Sequence, residues 1–541
     1  KGASDYFQSF GLGFFEYFQL CEDIGAEPLP ILNCGMACQY NSGELVPLDQ
    51  LDPYIQDALD LIEFANGSTQ TTWGAKRAAM GHPKPFNLKL LGVGNEQWGP
   101  QYIERYTKFA QVLKAKHPEI QLVSAAGPDP SGDKFNFLWS KLRDLNADLV
   151  DEHFYRDPNW FFANVHRYDN YDRNGPKVFA GEYAAHVKSR ANNLESAIAE
   201  AAVMTGFERN ADVVRMASYA PLFAHVDAWQ WNPDLIWMDN LRVMGTPDYY
   251  VQQMFSRNRG DVVLPIDVQA AGVQSSQATG AVGVGTWNTE AEFKDIKVTA
   301  PGGKVLFQSN FSSTNGVKFL GDGQWSAQNG ALRQTAGKEF VRAIFGDKSW
   351  TDYTIDLKAR KIAGSEGFLV LFHIKDDEDR VWWNVGGWNN TQHGIELDGT
   401  QDARKGSIES NRWYDLRVQV AGSTVKCWLD GKLIHDFTKT SAATLFACAT
   451  ADERAGEIIV KVVNAAPEPV DANLALAGVN PVKSGTVTTL TSKSLNDENS
   501  LDNPRKVAPV VKKLDFPGST FIYTFPANSV SVLRIPAKLN P

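Results

Sequence analysis

Short apolar runs alternate with amphipathic segments between residues 20 and 260. The apolar runs predict buried strands at 29–32, 88–93, 120–126, 147–150, 177–180 and 224–229. The amphipathic segments repeat apolar residues at i, i+3 and i+4, and they predict helices beginning at Leu51, Gln101, Phe135 and Leu194. Regular alternation of strands and helices favours a parallel sheet with crossover helices, either doubly wound or closed as a barrel.

Polar side chains stand at the ends of several of these runs. They are Asn33, Asn95 with Glu96, Asp151 to His153, and Glu182. A (β/α)8-type barrel keeps its chemistry at the carboxyl ends of its strands, so this clustering favours a barrel over a doubly wound sheet. The first 260 residues are therefore predicted to form a barrel of this type.

The helical period disappears after about residue 260. Residues 280–440 show short alternating strands separated by frequent turns, which is typical of an antiparallel sandwich. Residues 445–541 give a second all-β pattern, in which LFACAT and EIIVKVVNA flank ADERAG as a hairpin and NSVSVLRIP supplies a closing strand. The fold class is therefore α/β plus all-β.

Charge and composition exclude several classes of protein. The chain has 541 residues and a net charge of −10, whereas a nucleic-acid or anionic-membrane binder needs local positive charge. No apolar run reaches the roughly 18 residues that a membrane-spanning helix needs. The five cysteines are too few for a disulfide scaffold, and Cys34 and Cys38 lack the second pair that would complete a zinc site. We therefore expect no metal and no cofactor.

Two glutamates at strand ends point to acid–base chemistry. Glu96 follows a buried run and stands beside Trp98, where poor solvation suits a carboxylic acid to proton donation. Glu182 ends a later run, and two carboxylates about 5–5.5 Å apart can hydrolyse a glycosidic bond by double displacement. The alternative is that either glutamate pairs with an arginine at the barrel mouth. A small-residue turn before each of them, at Gly94 and Gly181, favours catalysis.

Longer strings around these residues resemble the α-L-arabinofuranosidases of glycoside hydrolase family 51. GVGNEQWG and VFAGEYAA are similar to the acid/base and nucleophile motifs of that family. DEHFY, YAPLF, WNPDLI, GTPDYYVQQMFS and ATADERAGEIIVKVVNA are similar too, so the likeness covers most of residues 11–275 and 440–541. The resemblance implies a retaining exo-α-L-arabinofuranosidase in which Glu96 is the acid/base and Glu182 the nucleophile. Its substrates would be the terminal arabinofuranosyl residues of arabinan or arabinoxylan.

The resemblance also implies residues that bind the sugar. Asn95 would hydrogen-bond the sugar 2-hydroxyl, and Tyr155 would orient the nucleophile. Asn33 matches a family position that lines the sugar pocket. His153 lies on the same strand face as Tyr155, and both contact with the ligand and a hydrogen-bonded place in the core are open for it.

Several tryptophans are candidates for contact with sugar. Trp98 and Trp231 either form walls of the site or pack in the interior. Trp382, Trp383 and Trp388 are candidates for a second sugar-stacking surface. Adjacent strand residues point to opposite faces, so Trp382 and Trp383 cannot both stack on one ligand.

The predicted barrel departs from the family plan at its beginning. In the family the acid/base ends the fourth barrel strand and the nucleophile ends the seventh. Two strands lie between Glu96 and Glu182 here and one more follows at 224–229, but only the run at 29–33 precedes Glu96. The count predicts an arc of six parallel strands that lacks the family's first two, with apolar side chains exposed at the gap. The sequence is accordingly expected to be a fragment without an N-terminal part.

The segment 276–441 is not part of the basic family plan. GTWNTEAEFKDIKV, WWNVGGW and RWYDLRVQV resemble concanavalin-like jelly-roll domains that some members carry as an insertion. The predicted domains are a catalytic barrel over 1–260, a β-sandwich formed by 261–275 with 442–541, and an inserted jelly-roll module over 276–441.

Two other functions stay open. An endoglucanase or endoxylanase can use the same barrel, because paired glutamates alone do not fix the sugar. A non-catalytic carbohydrate-binding protein would bind through the jelly roll, although the presence of both Glu96 and Glu182 counts against it. Polymeric substrates lie outside the cell, so we expect a secreted or periplasmic protein whose partner is an arabinose-containing polysaccharide or oligosaccharide.

Overall fold

The computed structural model describes residues 11–268, 279–375, 381–396, 400–422, 424–438, 444–477, 479–481 and 484–539. The chain divides into two compact units, of which Lys1–Ala271 with Ala443–Pro541 form the first and Gly272–Ala442 the second. The predicted module boundaries at 276 and 441 lie outside the described residues, and the division of the chain into three domains stays a prediction.

The first unit begins with a six-stranded parallel sheet whose strands pair in sequence order. These strands are β1 (Ile31–Leu32), β2 (Leu90–Val93), β3 (Gln121–Ala125), β4 (Leu149–Arg156), β5 (Lys177–Ala185) and β6 (Val214–Tyr219). The accompanying helices are α1 (Phe14–Ile24), α2 (Asp52–Asn66), α3 (Thr72–Ala79), α4 (Pro100–Lys116), α5 (Asp133–Asp144), α6 (Pro158–Ala163), α7 (Leu194–Arg209) and α8 (Pro247–Arg257). A 3₁₀ turn, Leu48–Gln50, precedes α2.

Four of these helices begin within two residues of the predicted starts, because their apolar stripes pack against the sheet. Helix α7 is the exception in pattern, since almost all of its residues are buried. It contacts β5 on one side and strands that follow the second unit on the other. The Asn193 side chain caps it by accepting the backbone N–H of Ser196 at 3.0 Å. Helix α1 was not predicted; it ends at Gly25, which adopts the left-handed conformation at φ 68°.

The predicted strand at 224–229 is not the sixth strand of the sheet. That place belongs to β6, in which only Val214 and Tyr219 are buried. Phe223–His225 instead forms β7, the first strand of a separate small sheet with β8 (Ile236–Met238) and β9 (Val243–Gly245). An edge strand with exposed residues does not give the continuous apolar run on which the prediction depended.

The described sheet has the predicted six strands, and β1 and β6 are its two edges. Exposed apolar side chains occur in the segments before β1 and after β6. On α1, Leu20 and Ile24 are 50% and 68% exposed, and Phe14 lines a groove with Leu32 of β1. After β6, Leu222 and Phe223 are exposed. An opening of the barrel between the two edges stays a prediction.

Strand β10 (Val262–Leu264) ends the first segment of this unit. The second unit follows as two antiparallel sheets packed around one hydrophobic core. Its strands are β11 (Ala281–Thr286), β12 (Thr289–Thr299), β13 (Val305–Ser309), β14 (Lys318–Leu320), β15 (Trp325–Gln328), β16 (Ala331–Gln334), β17 (Val341–Phe345), β18 (Tyr353–Gly364), β19 (Phe368–Ile374), β20 (Val381–Gly386), β21 (Gln392–Glu396), β22 (Thr400–Lys405), β23 (Trp413–Ala421), β24 (Thr424–Leu429) and β25 (Lys432–Thr438).

One sheet has the order β14-β17-β11-β19-β20-β21-β22, and the other β15-β16-β12-β18-β23-β24-β25 with β13 beside β12. This arrangement confirms the predicted antiparallel sandwich. Trp383 is fully buried in its core, while Trp382 packs on the other face against Phe340 with ring centroids 5.1 Å apart. The two adjacent tryptophans therefore do point to opposite faces. A sugar-stacking role for Trp382 and Trp388 stays a prediction.

The chain then returns to the first unit as a second all-β part. Its strands are β26 (Leu445–Asp452), β27 (Glu457–Asn464), β28 (Val470–Ala475), β29 (Val479–Pro481), β30 (Ser484–Thr491), β31 (Val510–Asp515), β32 (Thr520–Phe525) and β33 (Ser529–Leu539). β26 and β27 form the predicted hairpin, and β33 pairs with β27 as the predicted closing strand. β10 joins this sheet beside β26, so both segments of the first unit contribute to it.

Candidate active site

Strand β4 presents three polar side chains on one face. Asp151, His153 and Tyr155 are spaced two residues apart, so they point to the same face of the sheet. Glu152 and Phe154 point to the helices on the opposite face, where Phe154 stacks against Tyr183 at 5.5 Å. The sequence DEHFY therefore places an acid, an imidazole and a phenol in a row.

A β-bulge brings Glu182 to the same face as His153. Asp151 pairs with Phe179 and His153 pairs with Glu182, so three residue steps on β5 oppose two on β4. The backbone N–H of Gly181 donates to Asp151 Oδ1 at 3.0 Å. A Cβ at Gly181 would lie 2.1 Å from that oxygen, so only glycine is accommodated. Bulges commonly re-aim a side chain beside an active site, and this one turns Glu182 inwards.

Glu96 is placed by a tight turn that follows β2. Gly94 adopts φ 77° and Glu96 itself adopts φ 56°, a left-handed conformation that is uncommon for a residue with a side chain. The buried Gln97 side chain accepts the backbone N–H of Asn95 and so closes the turn. Backbone strain of this kind is concentrated at functional sites, where surrounding contacts hold it.

Glu96, His153 and Glu182 form one cluster. His153 Nδ1 lies 3.0 Å from Glu96 Oε1 and 3.5 Å from Glu182 Oε2. One ligand atom from each of the three side chains lies within 4.8 Å of the others, which brings the two glutamates within 4.8 Å across their nearest oxygens. Tyr155 donates its hydroxyl to Glu182 Oε2 at 2.7 Å, and Asp151 Oδ2 lies 3.0 Å from His153 Nε2.

The charges of the cluster are arranged around the buried imidazole. Burial alone would lower the pKa of His153, but Asp151, Glu96 and Glu182 raise that pKa to about 10, so His153 is an imidazolium at neutral pH. Burial raises the pKa of Glu182, while positive His153 and the Tyr155 hydroxyl act in the opposite direction. Burial also raises the pKa of Tyr155, with Glu182 adding to the effect, so the phenol stays a donor. The buried imidazole is thus surrounded by three carboxyl groups.

The carboxyl oxygens and ring nitrogen of this cluster are also atoms of the kind that bind a metal ion. Within the residues that the structure describes, Glu96, His153 and Glu182 form the one group of three close histidine, cysteine or acidic side chains. Both ring nitrogens of His153 already face carboxyl oxygens, Nδ1 at 3.0 Å from Glu96 and Nε2 at 3.0 Å from Asp151. The cluster is therefore interpreted as hydrogen-bonded, and the expectation of no metal stays a prediction.

The other predicted residues lie around this cluster to different degrees. Asn95 is exposed directly before Glu96. Trp231 is 41% exposed, and its ring lies 5.7 Å from that of Tyr155. Trp98 is half-buried and contacts Tyr40, with ring centroids 4.9 Å apart. Trp231 thus contacts a residue of the cluster, while contact of Asn95 and Trp98 with a ligand stays a prediction.

Asn33 is placed differently from the other predicted residues. Its Oδ1 accepts the backbone N–H groups of Gly35 at 2.8 Å and Met36 at 3.3 Å, which fixes the turn after β1. In the described part of the chain, no hydrogen bond joins Asn33 to Glu96 or Glu182. The pattern of strand ends predicted its position, while its observed role is to shape a loop.

Sequence reasoning missed Asp151 as part of the site. Its two oxygens hold His153 on one side and the bulge at Gly181 on the other. The signal was present in DEHFY, because Asp151 lies two residues before His153 on the same strand face. The bulge itself could not be read from the sequence, since VFAGEY shows regular apolar residues and one glycine.

Comparison with known proteins bears on this site. A model of the α-L-arabinofuranosidase C-terminal domain matches residues 164–529, and one of the α-L-arabinofuranosidase 1 domain matches residues 2–173. The chain belongs to the α-L-arabinofuranosidase family. Glu96 lies within the match over 2–173 and Glu182 within the match over 164–529, so the cluster draws on both parts of the family's sequence.

Two curated members of the α-L-arabinofuranosidase family illustrate the range of similarity. An extracellular exo-α-L-arabinofuranosidase from Streptomyces chartreusis is 44% identical over 544 residues, which cover 98% of this chain and 65% of that protein. α-L-Arabinofuranosidase 2 from Arabidopsis thaliana is 40% identical over 261 residues, 48% of this chain and 37% of that protein. The chain thus spans less than two thirds of the length of these relatives.

Solved structures from the α-L-arabinofuranosidase family share the fold. An arabinose-bound family 51 enzyme, MgGH51, matches with a TM-score of 0.60 at 23% identity, over 98% of this chain and 58% of that one. The Thermotoga maritima enzyme in complex with arabinose matches with a TM-score of 0.55 at 16% identity, over 97% and 78%. Among the described residues of this family member, no helix is both long and apolar enough to cross a membrane.

Proposed function

We propose that this chain is a retaining exo-α-L-arabinofuranosidase that removes terminal arabinofuranosyl residues from arabinan or arabinoxylan. The observation that carries the proposal is the closeness of the two carboxylates, whose nearest oxygens lie within 4.8 Å. Retaining glycosidases hold their carboxyl groups about 5–5.5 Å apart, whereas inverting enzymes need about 6.5–9.5 Å to admit a water. The Streptomyces chartreusis relative, named as an extracellular exo-enzyme, supports the same activity and a secreted or periplasmic location.

In the proposed reaction, Glu182 is the nucleophile and Glu96 the acid/base. A Glu182 oxygen bonds to the anomeric carbon as the bond to the leaving oxygen breaks, and Glu96 gives its proton to that oxygen. Glu96 then takes a proton from water, whose oxygen replaces Glu182 at the anomeric carbon and releases arabinose. Tyr155 supports this assignment, because its hydroxyl holds one Glu182 oxygen in place.

The residues around the pair complete the proposal. Asn95 would hydrogen-bond the sugar 2-hydroxyl, and Trp98 and Trp231 would form walls of the site. His153 would hold Glu96 and Glu182 in place without touching the sugar, since its nitrogens already face carboxyl oxygens. Asn33 would act through the loop that it fixes.

One observation favours a second assignment, in which the two glutamates exchange roles. Burial raises the pKa of Glu182, and a carboxyl group with a raised pKa is suited to donate a proton. Glu96 would then be the nucleophile. The two assignments differ in the anomeric configuration of the glycosyl azide that each variant forms.

The experiment uses the purified chain and an activated aryl α-L-arabinofuranoside. We expect hydrolysis with retention of configuration, loss of turnover in Glu182→Ala, and rescue of Glu96→Ala by azide with formation of an arabinosyl azide. An arabinosyl azide of inverted configuration from Glu96→Ala, with retained configuration from Glu182→Ala, would establish the exchanged roles. Glu119→Ala, a matched exposed glutamate, serves as the control. Cleavage of xylan or soluble cellulose without release of arabinose would refute the proposed activity in favour of an endo-acting enzyme.

A further inference from the structure

A pair of aromatic rings with a lysine lies beside Glu96. The Tyr40 and Trp98 ring centroids are 4.9 Å apart with the planes tilted by 54°. Lys134 Nζ lies 3.8 Å from the Trp98 centroid and 5.3 Å from that of Tyr40. Tyr40 is 65% exposed and Trp98 is half-buried. We refer to Tyr40, Trp98 and Lys134 as the Tyr40 platform.

Hydrogen bonds from the Gln39 side chain to the Trp98 backbone hold the Tyr40 platform in place. Gln39 donates its side-chain amide to the Trp98 carbonyl at 3.0 Å and accepts the Trp98 N–H at 2.8 Å. This reciprocal pair ties the loop after β1 to the loop after β2, so Tyr40 and Trp98 are fixed relative to each other. Asn33 fixes the start of the same loop. Such tethering keeps the exposed rings in one arrangement before any ligand arrives.

A different aromatic group lies on the Glu182 side. Trp231 contacts Tyr155 and His186, with ring centroids 5.7 Å and 5.8 Å apart, and Tyr155 is the residue that donates to Glu182. Trp98, in contrast, follows Glu96 by two residues at the end of β2. Among the described residues, no ring contact joins Trp98 to Trp231. Each glutamate therefore has an aromatic group of its own.

The chemistry of double displacement gives these two groups different tasks. The acid/base contacts the leaving oxygen, and the nucleophile contacts the anomeric carbon of the arabinosyl ring, which stays bound to the enzyme. A sugar that leaves must therefore lie on the side of the acid/base. The apolar C–H face of a sugar ring packs well against an aromatic ring, because this contact removes apolar surface from water.

We propose that the Tyr40 platform binds the leaving-group sugar, the neutral sugar ring of the polysaccharide from which arabinose is removed. This inference rests on the proposed roles of Glu96 and Glu182. Trp231 contributes to the pocket for the arabinosyl ring itself.

Charged groups beside the rings provide polar partners for that sugar. Lys134 is exposed at the start of α5 and has a flexible stem, so its ammonium can turn from the ring faces to a sugar hydroxyl. Arg156 and Asp129 form an ion pair at 3.1 Å. Burial raises the pKa of Tyr40 and the charges of Asp129 and Glu96 raise it further, which is consistent with their closeness to this ring.

The test compares two substrates that differ in the leaving group. An arabinofuranosyl-substituted xylo-oligosaccharide has a leaving sugar, whereas α-L-arabinofuranosyl fluoride has none. For Tyr40→Ala and Trp98→Ala we expect kcat/KM on the oligosaccharide to fall on the order of tenfold each, with the fluoride little changed. Trp231→Ala should lower both values together. Tyr17→Ala, an exposed tyrosine on α1, is the matched control and should change neither.

Equal losses on both substrates in Tyr40→Ala would overturn the inference. The Tyr40→Ala variant tests the inference even if Trp98→Ala disturbs Glu96. The Tyr40 ring is exposed, and among the described residues no hydrogen bond joins it to Glu96 or Glu182. If the unsubstituted chain hydrolyses neither substrate, the proposed function fails separately. Binding of xylotriose, measured by tryptophan fluorescence, then tests whether the Tyr40 platform binds a sugar. Weaker binding in Tyr40→Ala than in the unsubstituted chain supports the inference. No binding by the unsubstituted chain, or equal binding by both proteins, refutes it.

Discussion

Two glutamates only thirty residues apart, on neighbouring strands, have opposite surroundings. Glu152 is fully buried and accepts four hydrogen bonds, from Trp139 Nε1, Arg167 Nε and the hydroxyls of Tyr168 and Tyr171, at 2.8–3.0 Å. Glu182 accepts a hydrogen bond from Tyr155, lies near His153 and keeps 31% of its side chain exposed.

The difference between them separates structural from chemical carboxylates. The oxygens of Glu152 are saturated with donors on the helix side of the sheet, so this group has no capacity left for a ligand. Glu182 has free acceptor capacity and faces the open carboxyl-end side. Both are acidic residues in similar strand patterns, and it is the number of donors around each that distinguishes them.

The largest expected effect is on turnover in Glu182→Gln. We expect kcat to fall by a factor on the order of 10⁴ or more, because the amide cannot form the covalent intermediate. The thermal midpoint of unfolding should change little, since Glu182 makes few contacts. A variant that loses both activity and stability would place Glu182 in the same class as Glu152 and break the comparison.

The second effect is on stability in Glu152→Ala. Removing one partner of a buried ion pair costs about 3–5 kcal/mol, because Arg167 and two tyrosine hydroxyls are left without their acceptor. Chemical denaturation measures this loss. Glu119→Ala is the control, since an exposed pair such as His117–Glu119 contributes about 1 kcal/mol or less. Equal midpoints for the two variants would contradict the structural role of Glu152.

The third effect is on the pH dependence of stability. The folded protein binds the His153 proton more tightly than the unfolded chain does, because the pKa rises from 6.5 to about 10. This contribution is complete below pH 6.5 and is lost as the pH rises towards 10. Thermal midpoints between pH 7 and 10 should therefore fall less steeply in His153→Gln than in the unsubstituted protein.

Asp234 offers an internal control in a different pH window. Burial raises its pKa from 3.8 to about 7, so its protonated form is favoured in the folded protein and stability falls as the pH rises from about 4 to 7. Asp234→Asn should flatten the profile there and leave the alkaline part unchanged. If Asp234→Asn also changed the slope of the thermal midpoint against pH above pH 8, the pH ranges of Asp234 and His153 would not be independent.

The smallest effect is expected for Tyr155→Phe. The ring and its contact with Trp231 remain, and only the hydroxyl that donates to Glu182 is lost. Loss of one hydrogen bond to a charged group should lower kcat roughly tenfold and cost at most about 1.5–3 kcal/mol of stability. Unchanged kcat would show that His153 alone is sufficient to orient Glu182.

The sequence predicted the elements that carry long periodic signals. Helices α2, α4, α5 and α7, and the hairpin of β26 and β27, follow from their apolar periods. It did not predict β6, because alternate exposed residues such as Arg215 interrupt its apolar run. Strand ends gave Glu96, His153 and Glu182, and the family resemblance added Tyr155.

The parts of the site that could not be predicted are those set by non-local geometry. The Gln39 pairing with the Trp98 backbone joins residues 59 positions apart and leaves no local pattern. The donors around Glu152 come from two separate segments, α5 and residues 167–171. A count of donors requires coordinates, so the sequence could not distinguish Glu152 from Glu182 by surroundings.

The bulge at Gly181 makes chain length a chemical variable. Regular alternation from Phe179 would send residue 182 to the helix side, so the extra residue restores the parity that the site requires. Deleting Gly181 would leave the glutamate facing inwards and opposite His153, because three residues of β5 already span the length of two on β4. The deletion would instead remove the N–H that donates to Asp151 Oδ1. One residue of chain length therefore decides how Asp151, and through it His153, is held.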